Sequence, residues 1–476
     1  MNYLDRPAPE GSRAVPEVAA SAPTRSDDGR RYTFVVRGGF RFSPPSGEPV
    51  TARTFKEALE RLFDPRVVPN APDLSDVVGM DAFRAGRAPH VTGIVARGRR
   101  LTFRLKQPLG DLPERLSAGT MCAVPRGAPV GRPLVLPAAG PYYVASYVAG
   151  QELVLRRNPN YSGPRPHGPS EIDVRIGISQ QRAVADVEAG RADYAAGGVP
   201  AGDLARLRAR YGSGRDRRFF VNPTLNLRML VLNTSRPLFS DARLRQAAAY
   251  AIDRSALAAQ EQRYFHAGQF SGGAATDAYL PDAMPGAPRP GTHPLAGGDL
   301  ARARGLAGDA GAHRRAVLYT CNTPPCTQEA AIVRADLRRI GIDVEVDAFS
   351  KPVMYGRAGR PDAPFDILTI GWYADYADPG NFLGPLLTGS VPDDRWSANY
   401  GHFQDPSFTP RLRAAARLSG TARYASYGRL AQELARDSSP LVVYESDEAH
   451  DFFAARVGCQ VYQPVWGMDL AALCLR

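Results

Sequence analysis

Apolar and polar positions alternate over Arg31–Arg37 (RYTFVVR), which predicts a strand that Phe40 and Phe42 continue before the turn-forming run SPPSGE. Thr51 is placed to cap a helix through about Leu62, because Phe55, Ala58, Leu59 and Leu62 recur at helical spacing and Asp64-Pro65 stops it. Leu101, Phe103 and Leu105 alternate as a half-buried strand. Tyr142–Tyr147 and Glu152–Arg156 flank Val-Ala-Gly-Gln and predict a hairpin turning at Gly150. Residues 180–190 predict a helix ended by Gly190, with a short strand around Asp193, and Ser240–Gln260 predicts one long helix.

Further on, the pattern alternates between the two periods. Val317–Thr320, Val344–Ala348 and Ile367–Ile370 predict strands, Thr327–Ile340 predicts a helix between the first two, and residues 409–436 predict two more helices before a buried strand at Leu441–Tyr444. The fold class is therefore α/β. Residues 267–313 are rich in Gly, Pro and Ala and suit either a linker between domains or a long loop within one. No repeat of fixed period is present.

Length and composition place this chain of 476 residues, 44% hydrophobic and 22% charged, among globular proteins of two or three domains. Its apolar runs are strand length, well short of the ~18 residues that cross a bilayer. Residues 1–24 have neither a basic nor an apolar block of the secretory kind. The net charge of +11 is almost all arginine, since lysine occurs only at 56, 106 and 351. That arginine is scattered without aromatic interleaving, so no nucleic-acid partner is expected. Of the five cysteines, Cys321 and Cys326 bracket Asn-Thr-Pro-Pro, and Cys459 and Cys474 lie near the C-terminus. Two short-range disulfides are expected, with Cys122 left over.

Catalytic signatures are missing: no lysine follows a glycine as a phosphate-binding loop requires, and HExxH, GxSxG and GxGxxG do not occur. The seven histidines form no short metal-ligand spacing with cysteine, so neither metal nor cofactor is expected. One constellation does stand out, Gly371-Trp-Tyr-Ala-Asp-Tyr-Ala-Asp-Pro379, after the apolar strand Phe365–Ile370. It sets three aromatics and two acids at a strand's C-terminal end, where open α/β sheets place ligands. An acid with aromatic faces suits a ligand carrying an amine and varied apolar parts. The same residues also fit a plain core, with Asp378-Pro379 as a turn.

Ordered motifs carry a resemblance. Tyr32–Arg37 with Phe40–Ser43 and Pro49–Ala52, then Gly140-Pro-Tyr142, Gly150-Gln151 and Leu155–Tyr161, are followed by Asn233-Thr234, Pro237, Phe239, Asp241, Arg243, Arg245–Ala247 and Ala251–Arg254. Leu337, Ile340–Ile342, Phe365-Asp366 and Gly371–Pro379 complete the order. In this sequence they resemble the family 5 extracellular solute-binding proteins of ABC importers, the oligopeptide, dipeptide and nickel binder group.

The resemblance implies a two-lobed periplasmic-binding-protein-like fold with an extra subdomain, mixed sheets flanked by helices, and a hinge of two crossing segments at Met229–Asn233 and Leu441–Tyr444. It implies a subdomain over residues 1–115, a first lobe over 116–232 plus 445–476, and a second over 233–444. Asp375 occupies the position of the acid that holds a peptide's amino group, with Trp372, Tyr373 and Tyr376 near it and Asn233 by the crossing. The implied protein is an extracytoplasmic monomer that is not an enzyme, delivers a peptide-like solute to membrane permease subunits, and has an oxidised Cys459–Cys474 pair. Family members begin with a signal and a further strand, so Met1 resembles an internal methionine and the chain an N-terminally truncated one. The competing expectations are an α/β hydrolase or transferase, for which no motif supplies a nucleophile and base, and a truncated relative without function.

Overall fold

The computed structural model describes residues 1–67, 71–131, 135–214, 217–264, 270–308, 314–388 and 398–476. It divides into two compact units. One comprises Met1–Ser179, Asp375–Ala377 and Arg456–Arg476, and the other Gln180–Ala374 and Asp378–Ala455.

In the first unit, alternation makes β1 (Arg31–Val35) an amphipathic strand whose Tyr32 and Phe34 point inward. It pairs antiparallel with Thr24–Arg25 on one side and on the other with β3 (Arg100–Arg104), which pairs in turn with β2 (Ile94–Arg97). Helix α1 (Ala52–Leu62) begins at Thr51, whose hydroxyl accepts the Thr54 amide while the Thr54 hydroxyl accepts the Thr51 amide. This reciprocal cap satisfies donors that the first helical turn leaves unpaired. Leu59 and Phe63 pack with Tyr32, Phe34, Leu101 and Phe103 in one core. Phe40 and Phe42 do not extend β1. They fold over an isolated Arg41–Pro49 bridge into a separate cluster with Val50.

The expected hairpin forms as β4 (Tyr142–Val148) and β5 (Glu152–Arg157), and β6 (Glu171–Arg175) joins it. Its turn needs a left-handed residue, and Gly150 supplies it with φ 72°. Val457–Gly458 pairs with Cys474–Leu475 near the C-terminus.

The second unit is built on six strands in the order β8 (Phe270–Ala275), β12 (Leu441–Phe452), β7 (Phe219–Leu232), β11 (Ile367–Tyr373), β9 (Arg314–Cys321), β10 (Ile342–Phe349). β9 and β10 are parallel and joined by α4 (Cys326–Arg338), the βαβ unit the pattern predicts. β11 lies parallel to β9 and antiparallel to β7, so the sheet is mixed. Leu318, Val333, Leu337, Ile342 and Ile367 meet Leu230, Leu232 and Val442 in the core.

Two expectations change here. The single helix over Ser240–Gln260 is two helices, α2 (Ala242–Ala251) and α3 (Arg254–Tyr264). The Asp253 carboxylate accepts the Ala256 amide, while Arg254, 1% exposed, donates to the carbonyls of Val443, Ala249 and Pro294, so the chain restarts a helix at this point. Around Asp193 there is only an isolated Tyr194–Phe453 bridge, not a strand. The described part of the Gly/Pro/Ala-rich stretch lies inside the second unit, where the Asp277 carboxylate accepts the Gly291 and His293 amides and ties the loop to itself.

Candidate functional site

β11 delivers two of the residues singled out in the sequence. In register with β7, Trp372 lies opposite Leu227 and Tyr373 opposite Asn226, so the two rings leave opposite faces of the sheet. Trp372 Nε1 donates to the Asn381 carbonyl at 2.7 Å, and Tyr373 is 44% exposed. Asp375 is exposed, whereas Tyr376 is buried with its hydroxyl donating to Asp111 Oδ2 at 3.0 Å within the first unit. The second acid of the run, Asp378, is fully buried and gripped by Arg423, and it accepts the Gly380 amide at the start of α5 (Gly380–Leu387). The turn reading of Asp378-Pro379 thus describes a helix start.

Asn233 is not brought to these residues. It follows Leu232, which pairs with Ile367 at the other end of β11, about 20 Å along the strand from Tyr373. Its Nδ2 donates to the Phe365 carbonyl at 3.0 Å, and its Oδ1 accepts from the Ser235 amide and hydroxyl. Both candidate cysteine pairs are bonded, Cys321 to Cys326 and Cys459 to Cys474, with Cys122 free.

Beneath Tyr373 lies a charged cluster that sequence reading did not find. Arg228 on β7 donates from Nε to Asp447 Oδ1 at 3.2 Å, and its Nη1 lies 3.1 Å from Glu261 Oε1 on α3. Asn226 Nδ2 donates to Asp447 as well, and the Tyr444 hydroxyl donates to Glu329 Oε1 at 3.0 Å from α4. Arg228 pairs with Glu445 in the ladder but Met229 pairs with Val443, so Tyr444 is the extra residue of a bulge in β12. Such a bulge re-aims side chains, and here it sends Tyr444 and Glu445 to the same group of charges.

Burial dominates the electrostatics. It raises the carboxyls of Glu261 and Asp447 even against the Arg228 charge, and with neighbouring Glu261 it pushes Glu329 up to about 8. Glu445 is driven well above the usual carboxylate range by burial and by the charges of Asp447 and Glu261. Burial also lifts the Tyr373 phenol to about 12. The signal was present in the sequence: Arg228 is the one charged residue of its strand and stands next to the apolar run Met229–Leu232, and Glu445 and Asp447 alternate inside another strand, where charge is rare unless paired.

The fold is that of the two-lobed periplasmic binding proteins. The family model for bacterial extracellular solute-binding proteins, family 5 Middle, matches residues 13–393, and the chain belongs to this family. It is 24% identical over 449 residues to the periplasmic oligopeptide-binding protein OppA of Escherichia coli strain K12, covering 90% of this chain and 79% of that one. Among solved structures it is similar to clavulanic acid biosynthesis oligopeptide binding protein 2, with TM-score 0.86, 24% identity, and coverage of 100% of this chain and 89% of that one. It is also similar to the periplasmic binding protein DppA from Helicobacter pylori in complex with peptide STSA, with TM-score 0.69, 19% identity, and coverage of 100% and 91%. The two-lobed periplasmic-binding-protein fold is common to this chain and these structures. No described helix is long and apolar enough to cross a membrane.

Proposed function

We propose that the protein captures a peptide-like solute outside the cytoplasmic membrane and hands it to the permease of an ABC importer, acting as a monomer and catalysing no reaction itself. The observation that carries this reading is the exposed Asp375 carboxylate directly after the aromatic strand end Trp372-Tyr373, in a chain of the solute-binding family. A peptide ammonium meeting Asp375 makes charge-assisted hydrogen bonds, while aromatic faces accept varied side chains without reading them. The oligopeptide-binding relatives support a peptide as the solute. Tyr376 holds the segment in place through Asp111, and Asn233 braces the far end of β11.

The proposed lobes are 116–232 with 445–476, and 233–444, with 1–115 as a subdomain. A solute touching both lobes only in the closed form then stabilises that form by its differential affinity. Calorimetric titration with tri- and tetrapeptides tests the reading. Saturable binding at micromolar concentration, about 8 kcal/mol, is expected. No binding to any peptide, together with a co-purifying non-peptide solute in native mass spectrometry, overturns it.

A further inference from the structure

The cluster beneath Tyr373 holds four carboxyl groups, Glu261, Glu329, Glu445 and Asp447, against the single guanidinium of Arg228. Arg228 is occupied by Asp447 and Glu261. Glu329 takes the Tyr444 hydroxyl on one oxygen, and its carboxyl hydrogen-bonds that of Glu261. Glu445 is fully buried, and neither of its oxygens has a hydrogen-bond partner among the described residues. Buried polar groups are almost always satisfied, because leaving one unmet forfeits its hydration. A buried carboxyl with two unmet oxygens among three other acids therefore calls for a donor that the described residues do not supply.

We propose that this cluster, centred on Glu445, is a subsite for a cationic side chain of the captured solute, a guanidinium or primary ammonium. The proposal rests on the peptide-receptor reading above and narrows it to solutes bearing a basic group. Three observations favour an organic cation. First, the cluster adjoins the candidate site: Tyr373, open to solvent, hydrogen-bonds Asn226 and feels the charges of Arg228 and Asp447. Second, no group of three or more His, Cys, Asp or Glu among the described residues is placed to hold a metal ion. Third, guanidinium and ammonium groups offer several N–H donors, which suits the two unmet oxygens of Glu445.

The protonation state follows from what faces Glu445: Asp447 on its own strand, Glu261 on α3, Glu329 on α4 and Arg228 on β7, with Tyr373 over the cluster and Lys351 near Glu261. Acids outnumber bases, so Glu445 and Glu329 hold protons near neutrality in the empty protein. An incoming cation exchanges for a proton: the carboxyl O–H bond breaks, the proton leaves to solvent, and the carboxylate pairs with the cation.

The test is calorimetry of the whole chain with Ala-Arg-Ala and with Ala-citrulline-Ala, its uncharged counterpart, at pH 7 in two buffers of different ionisation enthalpy. The expected result is binding of the arginine peptide at least about tenfold tighter, with about one proton released, and a preference that falls below about twofold in Glu445→Gln. Equal affinities for the two peptides overturn the subsite while leaving the peptide receptor standing. A preference that survives in folded Glu445→Gln overturns its assignment to this cluster. If that variant does not fold, wild-type proton release decides, and its absence overturns the proposal. Failure of both peptides to bind removes the subsite and the peptide reading together.

Discussion

Arg423 holds the carboxylate of Asp378 with two nitrogens, Nε at 2.8 Å from Oδ2 and Nη2 at 2.7 Å from Oδ1, and the side chains are 2% and 0% exposed. The pair fixes the start of α5 against α6 (Gly420–Glu433), and the Arg423 guanidinium also stacks on Tyr427 at 4.9 Å. Its acid stands three positions after Asp375 and does a different task. Asp378→Ala leaves a buried guanidinium without its counter-ion and is expected to cost about 3 to 5 kcal/mol. Urea unfolding measures this, and a loss below about 1 kcal/mol would show that the pair does not anchor the helix.

Asp375, being exposed, is expected to behave in the opposite way. Asp375→Ala should weaken binding of a peptide ligand by about 2 to 5 kcal/mol, because the ligand ammonium is left desolvated and unpaired on closure. The variant should still fold. Calorimetry on the folded variant checks both statements, and undiminished affinity would remove Asp375 from the site.

The raised carboxyl of Glu329 makes stability depend on pH in a definite sense. Its ordinary value is about 4.3 and burial with Glu261 takes it to about 8, so between these values the folded state binds more protons than the unfolded. Its contribution is fully present below the unfolded value and is lost as pH rises through the folded one. Denaturation midpoints at pH 5 and pH 8 should fall more steeply with pH in the wild type than in Glu329→Gln. Parallel slopes would contradict this.

The Cys459–Cys474 bond, with a sequence separation of 15, closes a loop whose removal from the unfolded chain's constraints is worth about 3 kcal/mol. Replacing both cysteines by serine should lower stability by about that amount. Non-reducing peptide mapping of protein made in an oxidising compartment should recover the two as one linked fragment, with Cys122 alkylatable.

What the sequence determined by itself is local. The Thr51 cap, the Gly150 hairpin and the β9–α4–β10 unit each depend on spacing within a few residues or on one strand–helix–strand alternation, so composition and period fix them. Both cysteine pairs span at most fifteen positions and were legible for the same reason. The division of α2 from α3 was not, because Arg254 ends in carbonyls as distant as Val443 that no window contains. Tertiary structure alone decided that Asn233 and Tyr373 stand at opposite ends of one strand, since the antiparallel register of β7 on β11 is chosen by packing across the whole sheet. It also gathered Arg228 and Asp447, 219 positions apart, with acids from two helices. A strand sequence can show that a charge is out of place, but the partners that make its burial tolerable come from elsewhere in the chain and meet it only when the sheet has formed.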